Sequence, residues 1–430
     1  MSETIKQNRW LVVVMGTILM IVLGTVYSWS FFQKPIVETY RWTNSGVAWV
    51  FSTNILFLGL SAAWSGINLP KYGATKLAVI GAIMYGTGFI LGSLALKFHS
   101  LPALILGFGV VGGWGIGMSY VTPVISASKW FPDKQGLVTG MVVMGFGFGA
   151  LVMSKFIAPT VLNIADGNLI TSFFIIGAII LILGLIAALF IKQPPAGYLP
   201  KGYTPAVKIS AVDNNRSVEI TAKQAIFTSK FAMIWVVFFV NITAGIMFIS
   251  FQSPMMQDLW SRYRPGGDPV SLAAIGGTLI AVSSIFNGIG RFFWGGVSDR
   301  IGRIQTFRLI LGSQLVVFIT LLFVTNPYIF ALLVCYVLLC YGGGFGTMPA
   351  YIREVFSDRL MPVVYGTILT AWSAGGVLGP QIVGFMKDNF SQNAANYAFS
   401  IGTILLAIGF VLTLLLSNSS IKIGAKSTRT

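Results

Sequence analysis

Twelve stretches of mainly apolar residues, each long enough to cross a membrane, dominate this sequence of 430 residues. A helix of about 20 residues spans the hydrocarbon layer of a bilayer. Charged side chains make up 9% of the chain, whereas soluble proteins average about 25%. A membrane β-barrel would alternate apolar and polar residues instead. The sequence therefore predicts an all-α membrane protein with transmembrane helices near residues 10–32, 46–69, 77–96, 101–128, 136–160, 170–191, 231–252, 271–297, 306–325, 327–352, 362–386 and 396–417.

One long polar segment, residues 192–230, separates the sixth apolar stretch from the seventh. It contains six basic residues and four prolines, a composition typical of a connection rather than a membrane span. We therefore expect a first six-helix half at 1–191, a cytoplasmic linker at 192–230, and a second six-helix half with a cytoplasmic tail at 231–430.

The distribution of Lys and Arg predicts the orientation of the chain. Of the 28 basic residues, 20 fall on the side of the membrane that carries the N-terminus, and seven fall on the other side. The positive-inside rule then puts both termini in the cytoplasm. The net charge of +16 follows from this topology, so anionic lipid is the expected partner and nucleic acid is not.

Two short motifs recur at equivalent places in the two halves. The segment Gly66–Gly73 after the second stretch corresponds to Gly295–Arg303 after the eighth, with Gly73 and Gly302 at matching positions. The sequence Phe-Pro-Asp-Lys at 131–134 likewise corresponds to Phe-Ser-Asp-Arg at 356–359. We infer two homologous halves, an arrangement that encloses a substrate site near the middle of the membrane.

Arg291 is the one basic residue set well inside an apolar stretch, about two turns from the end of the eighth helix. An Arg within the membrane costs about 2.5–3.5 kcal/mol, so it should face a watery cavity or a counter-charge. All twelve acids lie in loops or at predicted helix ends. The expected counter-charge is therefore the carboxylate of a substrate, held by the guanidinium fork. The alternative is an Arg that snorkels to the interface and stabilises the eighth helix.

The loop motif Gly-x-x-x-Asp-Arg-x-Gly-Arg at 295–303, with the twelve-helix layout, resembles the major facilitator superfamily. Further segments resemble its oxalate:formate antiporter and monocarboxylate transporter branch: Gly24–Trp29, Lys129–Leu137 and Asn287–Gly295. The resemblance implies the major facilitator fold and a carrier in a prokaryotic plasma (inner) membrane. It also implies a second basic residue in the eleventh helix, but Trp372 stands at that position.

The remaining predicted lining of the cavity is aromatic and amide side chains. Asn287 lies four residues before Arg291 on the same helix face, where it can orient the guanidinium or the acid or form an interhelical hydrogen bond. The aromatic candidates are Tyr27, Trp29, Tyr120, Phe146, Tyr341, Phe345 and Trp372. The family resemblance singles out Tyr27, Tyr120, Tyr341 and Phe345 as substrate contacts; packing against lipid or the core is the alternative for each.

Asp299, Arg300 and Arg303 are predicted to form a cytoplasmic gate, in which a charged loop binds a neighbouring helix in one state and releases it in the other. Pro70 replaces the acidic residue in the first half. The corresponding contact in that half should be weaker.

These features together favour a secondary active transporter of small organic anions. One fixed positive charge matches one carboxylate, so a monocarboxylate such as formate, lactate or pyruvate fits better than a dianion. Oxalate and formate exchange is the first alternative, and export of drugs or other solutes is a further one. Both exchange of anions and symport with protons stay open. We expect a monomer without a cofactor or metal, and no enzyme activity, because the spans contain no metal cluster or catalytic pair.

Overall fold

The structure, a computed structural model, describes residues 8–133, 135–195, 198–200, 221–356 and 360–416. Most of the predicted linker, the predicted tail after 416, and Lys134 and Asp358 of the repeated motifs lie outside these ranges. All regular structure within them is helical, with twelve helices long and apolar enough to cross a membrane. The predicted fold class is confirmed.

These membrane helices are named in chain order. They are Arg9–Tyr40 (α1), Asn44–Tyr72 (α2), Ala74–Lys97 (α3), Leu101–Trp130 (α4), Leu137–Ile164 (α5), Leu169–Leu189 (α6), Ser229–Tyr263 (α7), Pro269–Ile301 (α8), Arg303–Leu321 (α9), Pro327–Phe356 (α10), Val363–Asn389 (α11) and Ala394–Leu415 (α12). We use "inner end" for the end of the bundle at which α1 begins and α12 ends, and "outer end" for the opposite end.

Some helices extend well past the apolar stretch that predicts them. The first helix continues to Tyr40 rather than ending near 32, and the seventh continues to Tyr263 rather than ending near 252. The added turns carry charged side chains such as Lys34 and Asp258. Hydropathy detects only the part of a helix that lies in hydrocarbon, whereas the backbone hydrogen bonds can continue into the aqueous interface.

Three helices of the first half depart from α-helical geometry within their length. The first helix tightens to a 3-10 turn at Thr25–Ser28, α4 widens to a π-helix at Ile105–Gly112, and α5 does so at Met153–Ile157. The Asn54 amide of α2 donates to the Phe108 carbonyl in that π-helical segment at 2.7 Å. The 3-10 turn carries Tyr27, so it positions a predicted site residue.

The helix pairs α2–α11 and α5–α8 join the first six helices to the last six. A Cβ on Gly147 of α5 would lie 2.6 Å from the Gly288 Cα of α8, so the two backbones meet there. The Ser284 hydroxyl of α8 donates to the Gly147 carbonyl. In the other pair, the Ser373 hydroxyl of α11 donates to the Leu56 carbonyl of α2 at 2.9 Å. Small residues and such hydrogen bonds stabilise helix contacts in lipid.

Candidate functional site

The backbones of α8 and α10 touch beside Arg291. Gly342 and Gly346 of α10 face the backbone carbonyls of Asn287 and Arg291, and a Cβ on either glycine would overlap the carbonyl that it faces. Glycine is the residue that permits this approach, because any side chain would push the helices apart. The contact brings the aromatic residues of α10 next to the guanidinium.

The Arg291 side chain is almost fully buried, with 3% of the residue exposed. Its Nη1 donates to the Val143 carbonyl of α5 at 3.3 Å, across the two halves. The guanidinium carbon lies 5.1 Å from the ring centre of Phe345 and 5.7 Å from that of Phe146. None of the ion pairs formed among the described residues includes Arg291. The guanidinium therefore contacts two aromatic rings and one carbonyl, and no acidic side chain among the described residues pairs with it.

Aromatic side chains from both halves form a continuous cluster around this charge. Neighbouring ring centres lie 4.8–6.4 Å apart, and all the rings are buried. The hydroxyl oxygens of Tyr27 and Tyr341 are 2.5 Å apart, a hydrogen bond that links the two halves. The structure thus brings the predicted aromatic residues together with Arg291: Tyr27, Tyr120, Phe146, Tyr341, Phe345 and Trp372.

Several buried donors in this cluster have no hydrogen-bond partner among the described residues. They are Arg291 Nε and Nη2, the Tyr120 hydroxyl and Trp372 Nε1. Buried polar groups are normally paired, and an unpaired one costs about 1–3 kcal/mol. A group rich in acceptors, such as a carboxylate, would satisfy these donors. The arrangement can therefore bind an anion between a guanidinium fork and aromatic walls.

Asn287 and Trp29 differ in how they relate to this cluster. Asn287 is buried one turn from Arg291, and its side-chain oxygen has no partner in the described ranges. Trp29 faces elsewhere: its Nε1 donates to Gln33 at 2.8 Å, and its ring stacks on Phe108 at 5.0 Å within the first half. The structure therefore does not bring Trp29 to the cluster around Arg291.

The three predicted gate residues lie at the inner end of α8 and the start of α9. Arg303 pairs with Asp299 at 2.7 Å and with Glu354 of α10 at 3.5 Å, and it also donates to the Ser298 hydroxyl. Arg300 is exposed to solvent. The contacts that the structure describes for this group all lie within the second half.

Sequence reasoning missed two partners of these charged residues. The Val143 carbonyl that accepts from Arg291 has no signature in the sequence, because every residue carries a backbone carbonyl. Glu354 follows the tenth apolar stretch by two residues, on the same predicted side of the membrane as Asp299. Its charge and its side of the membrane together are therefore a usable signal for a partner of Arg303.

Family models and known structures show what kind of protein carries this site. Residues 13–380 and 273–428 match the model of the Major Facilitator Superfamily. The chain belongs to the major facilitator superfamily. A superfamily relative with similar sequence is the oxalate:formate antiporter of Oxalobacter formigenes, 26% identical over 416 residues, which cover 96% of this chain and 92% of that protein. The apicoplast pyruvate carrier 1 of Toxoplasma gondii is 23% identical and covers 85% of this chain and 82% of the carrier.

The fold is also that of solved transporters. The crystal structure of a bacterial homolog of the human lysosomal transporter Spinster, in an inward-facing and unoccupied conformation, matches with a TM-score of 0.68 at 18% identity. The match covers 95% of this chain and 97% of that one. At this identity the likeness supports the superfamily fold and says nothing about the substrate.

Proposed function

We propose that this superfamily member is a secondary active transporter of small monocarboxylates, of the formate, lactate and pyruvate class, working by alternating access around Arg291. The observation that carries the proposal is the buried guanidinium, whose Nε and Nη2 have no partner in the described part of the chain. A carboxylate accepts from both in one bidentate pair. Tyr120 and Trp372 supply further unpaired donors in the same cluster.

The charge of the site favours a monoanion. Of the residues grouped around the rings in the described structure, Arg291 alone is charged, and the others are aromatic or amide side chains. One carboxylate neutralises one guanidinium, whereas a dianion would leave a negative charge among apolar rings. Burying an uncompensated charge is costly, so the site should prefer a monocarboxylate.

Oxalate exchange is the second candidate. Its support is the similarity over nearly the full chain to the oxalate:formate antiporter of Oxalobacter formigenes. The side chain of Trp372 argues against it, because an indole offers one neutral donor where a dianion would need a second positive charge.

The unpaired charge also favours exchange over net transport. An empty carrier that occludes Arg291 must bury a guanidinium that finds no counter-charge in the described part of the chain, whereas a loaded carrier buries a neutral pair. Loaded states should therefore reorient faster than empty ones. Symport stays possible if a proton crosses with the acid or through water. The proposal further includes a plasma membrane location. The distribution of Lys and Arg supports an orientation with both termini in the cytoplasm.

The experiment is uptake of radiolabelled lactate, formate and oxalate into liposomes that contain the purified protein. Each acid is tested with and without unlabelled acid inside, and with and without an inward proton gradient. We expect uptake of lactate or formate that accelerates with internal acid. Acceleration by the proton gradient alone would indicate symport, and preferential uptake of oxalate would favour the second candidate. No uptake of any of these acids would refute the proposal.

A further inference from the structure

We propose that Asp388, in the last turn of α11, is a latch that closes the outer end of this transporter by binding the first turn of α2 in the other half. The proposal rests on alternating access, as in the proposed function, but it does not depend on which substrate is carried. The latch is a side chain of one half that caps a helix of the other.

The geometry of this contact uses both oxygens of the carboxylate. Oδ1 accepts from the backbone N–H of Asn44 at 2.8 Å and from its side-chain amide at 3.0 Å. Oδ2 accepts from the backbone N–H of Ser45 at 2.8 Å and from its hydroxyl at 2.5 Å. The next donor, Gly46 N–H, is taken by the local cap Thr43 at 3.1 Å. Asp388 therefore satisfies first-turn donors that α2 cannot satisfy by itself.

Close packing between α11 and the start of α2 supports this contact. Gly384 lies one turn before Asp388, and a Cβ on it would come within 2.8 Å of the Ser45 Cα. The absence of a side chain there lets α11 approach the start of α2 closely enough for the carboxylate to reach the backbone. A negative charge at this position also interacts favourably with the N-terminal end of the α2 dipole.

Other polar contacts between the halves at the outer end are weaker. Lys34 of α1 donates to the Gln257 side chain of α7 at 3.1 Å, and Lys155 of α5 donates to the Thr278 hydroxyl of α8 at 2.6 Å. Each is one bond to a neutral acceptor in an exposed or half-buried place. Any movement that separates α2 from the end of α11 must break every bond to Asp388 together, so this carboxylate should dominate the closing of the outer end.

A neighbouring acid provides a matched control. Asp258 of α7 accepts from Lys387 of α11 at 2.5 Å, so it is also an acid paired at the outer end and also involves α11. Its pair lies within the second half, however, and an outward opening between the halves leaves it intact. The variant D258N should therefore leave the balance between closed and open states unchanged.

Ser52 provides a reporter of opening. It lies about two turns deeper than Ser45 along α2, is fully buried, and contacts the Val377 carbonyl and the Gln381 side chain of α11. A cysteine there should react with a maleimide only when α2 and α11 separate. The native cysteines, Cys335 and Cys340, are replaced by alanine in the background, although both are buried.

The experiment compares maleimide labelling of S52C in the full-length purified protein, alone and combined with D388N, S45A or D258N. The amide of D388N keeps one acceptor but turns N–H donors toward the Ser45 N–H. We expect labelling at least about a hundredfold faster with D388N, because the substitution breaks the bond to the Ser45 N–H and removes the charge that strengthens the others. S45A removes one charge-assisted bond and should give a smaller increase, of about tenfold. D258N should match the parent.

Equal labelling rates in the parent, D388N and S45A would overturn the latch, and so would an equal increase with D258N. If D388N does not fold, as judged by gel filtration, the labelling rates of S45A and D258N are compared instead. Labelling needs no substrate, so it can refute the latch without refuting the proposed transport of monocarboxylates. Faster labelling with D388N in a protein that carries none of the tested acids would support the latch and refute the proposed substrates.

Discussion

Replacing Arg291 with Gln tests the proposed site most directly. The change removes the charge and the guanidinium fork, whose Nε and Nη2 are the donors left unpaired in the described structure. Each hydrogen bond to a charged group contributes about 1.5–3 kcal/mol, so losing both should cost about 3–6 kcal/mol of binding. This corresponds to about a hundredfold to ten-thousandfold weaker affinity. R291K keeps the charge but loses the fork, so it should lose about tenfold to a hundredfold.

The assay is equilibrium binding of radiolabelled lactate, or of formate if liposome uptake shows that formate is preferred. Thermal unfolding of the empty protein is measured on the same samples. Because R291Q removes a buried charge without a counter-charge in the described structure, the empty variant should unfold at the same temperature as the wild type or a higher one. Loss of binding in a protein that has become more stable cannot be explained by misfolding.

Arg308 is the matched control for this variant. It is a half-buried arginine whose Nε donates to the Thr413 carbonyl at 3.1 Å, between α9 and α12. R308Q should change stability but not acid binding. The reasoning is refuted if R291Q binds the acid as well as the wild type does, or if R308Q loses as much binding as R291Q.

Three further predictions concern the tyrosine pair, Trp372 and the α5–α8 contact. Y27F removes the hydrogen bond to Tyr341 and should raise KM by up to about tenfold. Y341F and the double variant should raise KM by the same factor, because all three lose the same bond. Additive effects of the two single substitutions would contradict a shared bond. W372K adds a second positive charge and should raise oxalate uptake relative to lactate uptake; an unchanged ratio would show that charge does not set the preference. G147A puts a methyl group against the α8 backbone and should lower the melting temperature and abolish uptake, whereas G140A, whose nearest contact is a ring carbon 3.8 Å away, should be tolerated.

Much of the site could be predicted because its residues are unusual where they stand. Arg291 is conspicuous because it is a charged residue in an apolar helix. The sequence repeat predicts two six-helix halves, which puts the eighth and tenth helices in the same half. The error with Trp29 has a simple geometric cause. Tyr27 and Trp29 are two residues apart, which places them on opposite sides of the helix in either α-helical or 3-10 geometry. The structure places Tyr27 in the cluster and turns Trp29 into the first half.

The outer contact of Asp388 could not be predicted in the same way. The apolar stretch of the eleventh helix ends near 386, which leaves Asp388 looking like an ordinary loop acid. Its partners are the first N–H groups of α2, 343 and 344 residues earlier in the chain, and backbone donors have no signature in the sequence. The contact depends on how far α11 extends and on the close approach at Gly384, which are both properties of tertiary packing.

A guanidinium with no counter-charge among the described residues should also make a carrier sensitive to voltage. In a carrier of the proposed kind, the site with a monocarboxylate bound is neutral, and the empty site carries one positive charge. Moving one elementary charge across the whole membrane changes its energy by about 2.3 kcal/mol per 100 mV of membrane potential. A potential that is negative inside would therefore hold the empty carrier open toward the inner side and leave the loaded carrier unaffected. Exchange of one monocarboxylate for another would be electrically silent, whereas every empty return would appear as current.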